Sequence, residues 1–390
     1  MKMKLYNATN TPSTDKRIVC DDMILTKGLP TTAGSKMLDG YKSLFEAEVL
    51  TRLFASGYSL VGKANVGEFA IDLVGETSYF GACAKDGKLV SAAAEIVAGG
   101  EAMAAIALDV NGSARRAAAQ SGLVSVKPTY GVVSRFGTIP VACSGECVSV
   151  TAKSADECKE ILNVIIGHDD KDGTSLPEEK CALSKLSSPV RKVAIIKSLA
   201  AEADVTADIE AAKASLMKNG IEIAEIDSEI IASARAAWNI LMCAELCNNV
   251  SRYDGVKYGY RANEFSGIDE LYTNSRTEAF GKLLKSAILF GSDTLSTENY
   301  MKVYDKALRT RRVIVEEFAK IFAEFDAVIL PATSTKAYSE DMGDEYFAFK
   351  ENAYTAPASI SGLPAVVAGG VQIIGKAFSE SALLDLAKLI

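Results

Sequence analysis

The sequence predicts an α/β fold built on a largely parallel or mixed sheet. Three observations carry this. Short apolar runs of strand length alternate with helix-length stretches along the chain, cap and stop signals stand at the joints, and no internal repeat or flexible linker interrupts the series. A chain of 390 residues has the length for one large domain or two to three smaller ones. With no linker in view, a single domain over residues 1–390 is expected.

The elements follow in order. Leu44 to Ala55 (LFEAEVLTRLFA) spaces its apolar residues as a helix does, and Gly57 is its stop signal. Ser59 to Val61 reads as a short strand entering Gly62-Lys63. Ser91 to Ala107 is rich in alanine and poor in breakers, which predicts a helix. Ser154-Ala-Asp-Glu157 has the pattern of a capping box, opening a helix through Ile166. Gly167 to Lys185 is polar, acidic and contains a proline, so it reads as a loop. Arg191 to Lys197 predicts a strand, Ala207 to Lys218 a helix and Ile221 to Ile226 a strand. A long helix is expected from about Glu298 to Glu324, ending in the strand-like Ala327 to Leu330.

Composition narrows the function classes. The 42 basic and 50 acidic side chains leave a net charge of −8 and a pI near 5.1, which argues against direct nucleic-acid binding. No run approaches the roughly 18 apolar residues of a membrane span. Met1 to Arg17 lacks the apolar core of a signal peptide, so a cytoplasmic location and no membrane association are expected. Eight cysteines are too sparse for a disulfide scaffold, and the pairs Cys143/Cys147 and Cys243/Cys247 lack the spacing of a zinc site. Cys243 and Cys247 lie one turn apart in an apolar helical stretch and read as buried thiols. His168 is the only histidine and stands in the polar GHDDKDGTS, so triads that need a histidine base have little support. Serine-lysine nucleophiles and carboxylates remain.

Two stretches go beyond pattern. One runs from Thr26 to Phe69, with TKGLPTTAGSKMLDGY and then GKANVGEF; the other is DVNGSARRAAAQSGLVSVKPTYGVVS, from Asp109 to Ser134. Together they resemble the amidase signature family, and within it the A subunits of tRNA-dependent amidotransferases, whose motifs read approximately TKG…TT…SKML, GKTNMDEF, DTGGSIR and GLKPTYGRVSR. The likeness resumes in Tyr300 to Pro331, Tyr354 to Pro364 and Gln372 to Phe378, and KPTYGVVSRFG (Lys127 to Gly137) is its longest match. The resemblance implies an α/β/α sandwich with a large mixed central sheet. It implies chemistry without metal or cofactor, in which a serine attacks a carboxamide, an unprotonated lysine acts through a second serine in a cis peptide, and backbone N–H groups hold the oxyanion. It also implies B and C subunits as partners and glutamine as the ammonia source.

Carried over residue by residue, DTGGSIR falls on Asp109 to Arg115, so Ser113 takes the nucleophile position and Val110, Asn111 and Gly112 the oxyanion turn. Asp109 and Arg115 match the family. Asn111 replaces a glycine and is expected to tolerate the positive φ of such a turn. The lysine position is Asp21, or Cys20 after a shift of one. The cis-serine position is Leu89 in an ungapped alignment and Gly87 in the other, leaving Ser91 as a candidate substitute relay. Ser286 and Ala287 stand where the family's segment carries arginines that clamp a carboxylate, and Asn352 where it carries an aspartate. Relative to the family, the chain is short before Asp21, around 82–86 and between Pro364 and Gln372.

Each residue also has a plainer reading. Ser113 opens the helix SARRAAAQ, or it is a rescued nucleophile with Asp21 as base. Asp21 and Asp22 read as a solvated acidic turn, Lys127 to Gly137 as fold geometry, and Asp169 to Glu179 as a surface loop. The reading is a divergent A-subunit-like protein whose serine–cis-serine–lysine reaction is lost, kept as a scaffold or regulator. The alternative is an active divergent amidase, or glutaminase subunit, using Ser113.

Overall fold

Alternation along the central strands makes both faces of the sheet apolar. In β2 (Arg17–Asp21), Ile18 and Cys20 join one buried cluster and Val19 joins the other. In β6 (Ala104–Asp109), Ala104, Ile106 and Leu108 face the first and Ala105 the second; in β13 (Ala365–Ala368), Val366 and Ala368 oppose Val367 in the same way. The helices Ala155–Ile165, Ala234–Val250, Asp305–Glu324 and Glu380–Ala387 feed the first cluster, while Ala92–Ala98 and Ser113–Ser121 feed the second. The result is a sheet between helical layers, as the resemblance implied.

The computed structural model describes residues 3–8, 15–199, 201–341 and 346–390, so 1–2 and 9–14 of the opening stretch lie outside it. Eleven strands form the large sheet in the order β1 (Lys4–Asn7), β3 (Ser59–Ala64), β2, β6, β8 (Cys147–Ala152), β7 (Val124–Lys127), β13, β14 (Val371–Gly375), β11 (Ala327–Pro331), β9 (Lys192–Ile196) and β10 (Glu222–Ile226). β3, β2 and β6 are mutually parallel, the pairs from β6 across to β11 are antiparallel, and β11, β9 and β10 are parallel again. A small second sheet joins β4 (Ala84–Lys85), β5 (Lys88–Leu89) and β12 (Tyr338–Ser339). Because β3, β2 and β6 run the same way, their carboxyl ends, at Ala64, Asp21 and Asp109, open on one edge. In open α/β sheets that edge is where ligands bind.

Most predicted elements are present, with informative differences. The capping box is closed at Ser154 and Glu157, opening Ala155–Ile165. The alanine-rich stretch from Ser91 to Ala107 is not one helix. It is the short helix Ala92–Ala98, a break at Gly99-Gly100, and then β6. Helix propensity is a weak preference, and the site between β2 and β8 selects small residues for burial whatever their propensity. The predicted loop from Gly167 to Lys185 ends in two helical turns, Glu178–Cys181 and Ala182–Lys185, which start just after Pro177. The helix expected from Leu44 begins at Glu48, and Leu44 is exposed. The long helix begins with a π turn, Tyr300–Tyr304, before Asp305–Glu324.

One stretch, Glu229–Val250, is long and apolar enough to cross a membrane by length and composition, contrary to the expectation that none exists. Half of its apolar window is buried in this fold, and Trp238, Leu241 and Leu246 sit in the core. All eight cysteines are free; Cys243 is buried and Cys247 half-buried on that helix. His168 lies on the surface, its ring within 3.0 Å of Asp170 Oδ1 and of the Leu176 carbonyl.

Candidate functional site

β6 ends at Asp109, and the chain turns through Val110, Asn111 and Gly112 into the helix that Ser113 begins. Gly112 takes φ +88°, and a Cβ there would stand 2.3 Å from Thr355 Cβ, so both backbone and space demand glycine. Asn111 is not in the left-handed region, contrary to expectation, because Gly112 alone makes the turn. The Asn111 side chain acts as a strut: its Nδ2 donates to the Ile71 carbonyl at 2.9 Å, and its Oδ1 accepts from Trp238 Nε1 at 3.0 Å.

Asp109 and Arg115 are spent on each other. Arg115 Nε donates to Asp109 Oδ2 at 2.8 Å and its second nitrogen to Oδ1 at 3.0 Å, with both side chains fully buried. The remaining donors reach the Thr355 carbonyl, Gln372 Oε1 and Ser359 Oγ, each at 2.8 Å. Burial alone would raise the Asp109 carboxyl; the Arg115 guanidinium, with Lys127 and Arg116 behind it, outweighs that and holds it below its ordinary value. Asp109 Oδ1 also accepts the Gly112 N–H at 3.1 Å.

Under Ser113 lies a cavity of about 30 Å³. Its polar lining is Asp21, Asn65, Asp72, Ser91, Ser113 and Thr151, and Val66, Val74 and alanines of β6 and the two short helices complete it. The Ser113 hydroxyl makes no hydrogen bond among the described residues. Ser91 caps the helix Ala92–Ala98, its oxygen accepting the Ala94 N–H at 3.4 Å. The fold therefore gathers Asp21, Ser91 and Ser113, which lie far apart in sequence.

Asp21 and Asp22 are buried, not a solvated turn. They fall where β2 dives under the helical layer, and each is held by bonds the sequence does not display. Asp22 pairs with Lys63 at 2.9 Å, both fully buried, and takes the Thr32 N–H at 2.9 Å. Lys63 also donates to Thr31 Oγ1 at 2.6 Å and the Pro30 carbonyl at 3.1 Å. Asp21 accepts the Met23 N–H at 3.0 Å and the Leu108 N–H at 2.9 Å.

Burial pushes the Asp21 carboxyl up to about 7, against the pull of those two N–H bonds and of Lys63. Its folded value lies above the ordinary 3.8, so its contribution to stability is full below about pH 4 and is lost as pH rises through about 7. Carboxyl carbon NMR is expected to show an inflection near pH 7 that is missing in Asp21→Asn. An inflection near 3.8 would mean that the hydrogen bonds win over burial.

Asp72 belongs to none of the sequence motifs. It lines the same cavity and is 1 % exposed, with one oxygen, Oδ1, lacking any hydrogen bond. Burial first, then Glu76, hold its carboxyl well above the usual range. A lone acid in the apolar run FAIDLVG was the available signal.

The other candidates stand apart. Leu89 packs into the second apolar cluster with Tyr338 and does not line the cavity. It belongs to a two-residue hairpin, β4–β5, whose turn residues Asp86 and Gly87 have φ +52° and +72°. Asp-Gly is the sequence signature of that turn, and it was legible. Ala287 is fully buried in the core on the helix Lys282–Thr294, and Ser286 Oγ lies 3.2 Å from the Tyr346 hydroxyl. Asn352 is buried and donates to Asn239 Oδ1 at 2.6 Å.

Comparison with known proteins places these features in a family. The amidase family profile matches residues 18–384. The A subunit of the glutamyl-tRNA(Gln) amidotransferase of Acinetobacter baumannii is 36% identical over 94% of this chain and 80% of that protein. Its namesake from Coxiella burnetii is 36% identical over 99% of this chain and 84% of its own length. The crystal structure of the Thermotoga maritima A subunit superposes with a TM-score of 0.83 at 26% identity, covering 100% of this chain and 87% of the other.

Proposed function

Because this chain belongs to the amidase family, we propose that it is an amidotransferase-A-like member that no longer hydrolyses amides and acts as a scaffold or regulatory subunit. The observation that carries this is the cavity under Ser113. It holds about 30 Å³, room for a water or two, and presents the Asp21 carboxyl where the resemblance calls for an amine. Small-molecule sites span roughly 300–1,000 Å³.

Three further features support the reading. Acyl transfer needs free N–H donors aimed at the developing oxyanion, and the Gly112 N–H is held by Asp109. The hairpin with Leu89 stands in place of the glycine-rich segment that the resemblance assigns to the relay serine. Ser286 and Ala287 offer no bidentate clamp for a carboxylate. The resemblance to A subunits makes B and C subunits the proposed partners, in the cytoplasm, with the whole chain acting as one domain.

The test is ammonia release from glutamine and a panel of simple amides, with and without candidate B and C subunits. No release above the Ser113→Ala background is expected in any combination, and a fluorophosphonate should leave Ser113 unlabelled. Turnover that vanishes in Ser113→Ala would establish a second reading instead, an active divergent amidase or glutaminase. That reading is favoured by the unbonded Ser113 hydroxyl sharing its cavity with a carboxyl that titrates near neutrality, which suits a general base. Its rate would then rise with pH through about 7.

A further inference from the structure

A larger pocket, of about 350 Å³, lies across a short stretch of chain from the Ser113 cavity. Asp72 and Val74 line the small cavity while Leu73 and Glu76 line this one, so a single strip of backbone divides them. Arg116, fully buried, fixes that strip by donating to the Asp72 carbonyl at 2.8 Å and the Leu73 carbonyl at 3.1 Å. The volume falls within the roughly 300–1,000 Å³ of small-molecule sites. We infer that this pocket binds a small organic cation, a primary ammonium carried on an apolar body.

Apolar walls and unbalanced charge carry the argument. Leu73, Leu283, Ala348 and Leu89 of the rebuilt hairpin, all buried, make the apolar lining. Three carboxyls, Glu68, Glu76 and Glu340, share the pocket with one ammonium, Lys282. None of the three makes an ion pair among the described residues. Glu68 is the anchor, because it is only 3% exposed. Its Oε1 accepts the Ser35 hydroxyl at 2.6 Å and its Oε2 the Gly281 N–H at 2.8 Å. Those neutral donors fix the carboxyl in place and leave about two of its acceptor positions open. Burial pushes it up to about 7, with Ser35, Gly281 and the more distant Lys285 pulling the other way. Glu76 is fixed as well, by the N–H groups of Leu73, Val74 and Gly75 at 2.8, 3.0 and 3.2 Å.

Other occupants fit worse. An anion would meet three carboxyls. A neutral apolar molecule would bury Glu68 further and still leave it without a counter-charge, which is costly. A divalent metal has no cage, since among the described residues no three His, Cys, Asp or Glu side chains are placed to hold one. A primary ammonium brings three donors, its bonds to carboxylates are the strong kind, and its apolar body covers the leucines. The inference does not depend on whether Ser113 is active.

The test uses the full chain and pentylammonium as the probe, followed by calorimetry and thermal unfolding. Pentanol and pentanoate serve as its neutral and anionic counterparts at matched ionic strength. Saturable binding of pentylammonium is expected, at least about tenfold weaker for pentanol and absent for pentanoate. Glu68→Gln keeps an acceptor for the Gly281 N–H but removes the charge, and should weaken binding at least about tenfold. Ala82→Phe fills the pocket without touching a carboxyl and should abolish binding, which decides the matter if Glu68→Gln fails to fold. Glu222→Gln, on β10 at the opposite end of the large sheet from β3, should bind as the wild type does. The inference is overturned if pentylammonium shows no saturable binding, or if pentanol binds as tightly. It is equally overturned if a folded Glu68→Gln or Ala82→Phe binds as the wild type does, in which case the cation sits elsewhere.

Discussion

Arg115→Met is expected to cost about 3–5 kcal/mol of stability, enough to leave much of the protein unfolded. The guanidinium makes five hydrogen bonds in a fully buried place: two to Asp109 and one each to Thr355, Gln372 and Ser359. Methionine fills comparable volume but donates nothing, so Asp109 would be left as a buried charge beside several orphaned acceptors. The cost comes from that stranding more than from the pair's net worth. Urea unfolding followed by the fluorescence of Trp238, the single tryptophan, measures it. A loss below about 1 kcal/mol would mean that water enters and replaces the guanidinium. Ser113→Ala, two residues away, should leave the midpoint almost unchanged, which separates the fold's dependence on this turn from any chemistry at its serine.

Lys63→Met is expected to be the second most damaging change, again about 3–5 kcal/mol. Lys63 and Asp22 form an ion pair at zero exposure, and the ammonium also ties down Pro30 and Thr31. Burial already raises the Asp22 carboxyl despite this partner. Without Lys63, Asp22 would take up a proton or drag water into the core. The double variant Lys63→Met/Asp22→Leu should therefore be more stable than Lys63→Met alone, because it removes the stranded charge. A double variant no better than the single would show that the bonds to Thr31 and Pro30 matter more than the charge pair. Removal of Lys63 would also withdraw the nearest positive charge from Asp21 and raise that carboxyl further.

Local signals located the site only in part. The turn from Asp109 to Ser113 was found through its motif, and its glycine is needed for a reason the structure supplies, the approach of Thr355. The motif register points to Asp21, but its environment is not legible locally: a pair of aspartates beside Cys20 reads as solvated, and the burial depends on Lys63, about forty residues on, which pairs with Asp22. Asp72 is not legible locally, because a single acid in an apolar run carries no periodicity. The Asp86-Gly87 hairpin had a local signature, but its consequence, Leu89 packed against Tyr338 of β12, joins segments some 250 residues apart.

By itself, then, the sequence determined the alternating α/β class, the capping of the helix after Ser154, the strands β9, β10 and β11, the family resemblance and the position of Ser113. Each of these rests on residues close together in the chain, where spacing and backbone preference act directly. The tertiary structure alone decided that β6 is a central strand and not the end of an alanine helix, that Asp21, Ser91 and Ser113 share one small cavity, and that Asp109 and Arg115 serve each other. Those outcomes depend on burial and on the hydrogen-bond partners available inside, and both are set by which distant segments the sheet brings together.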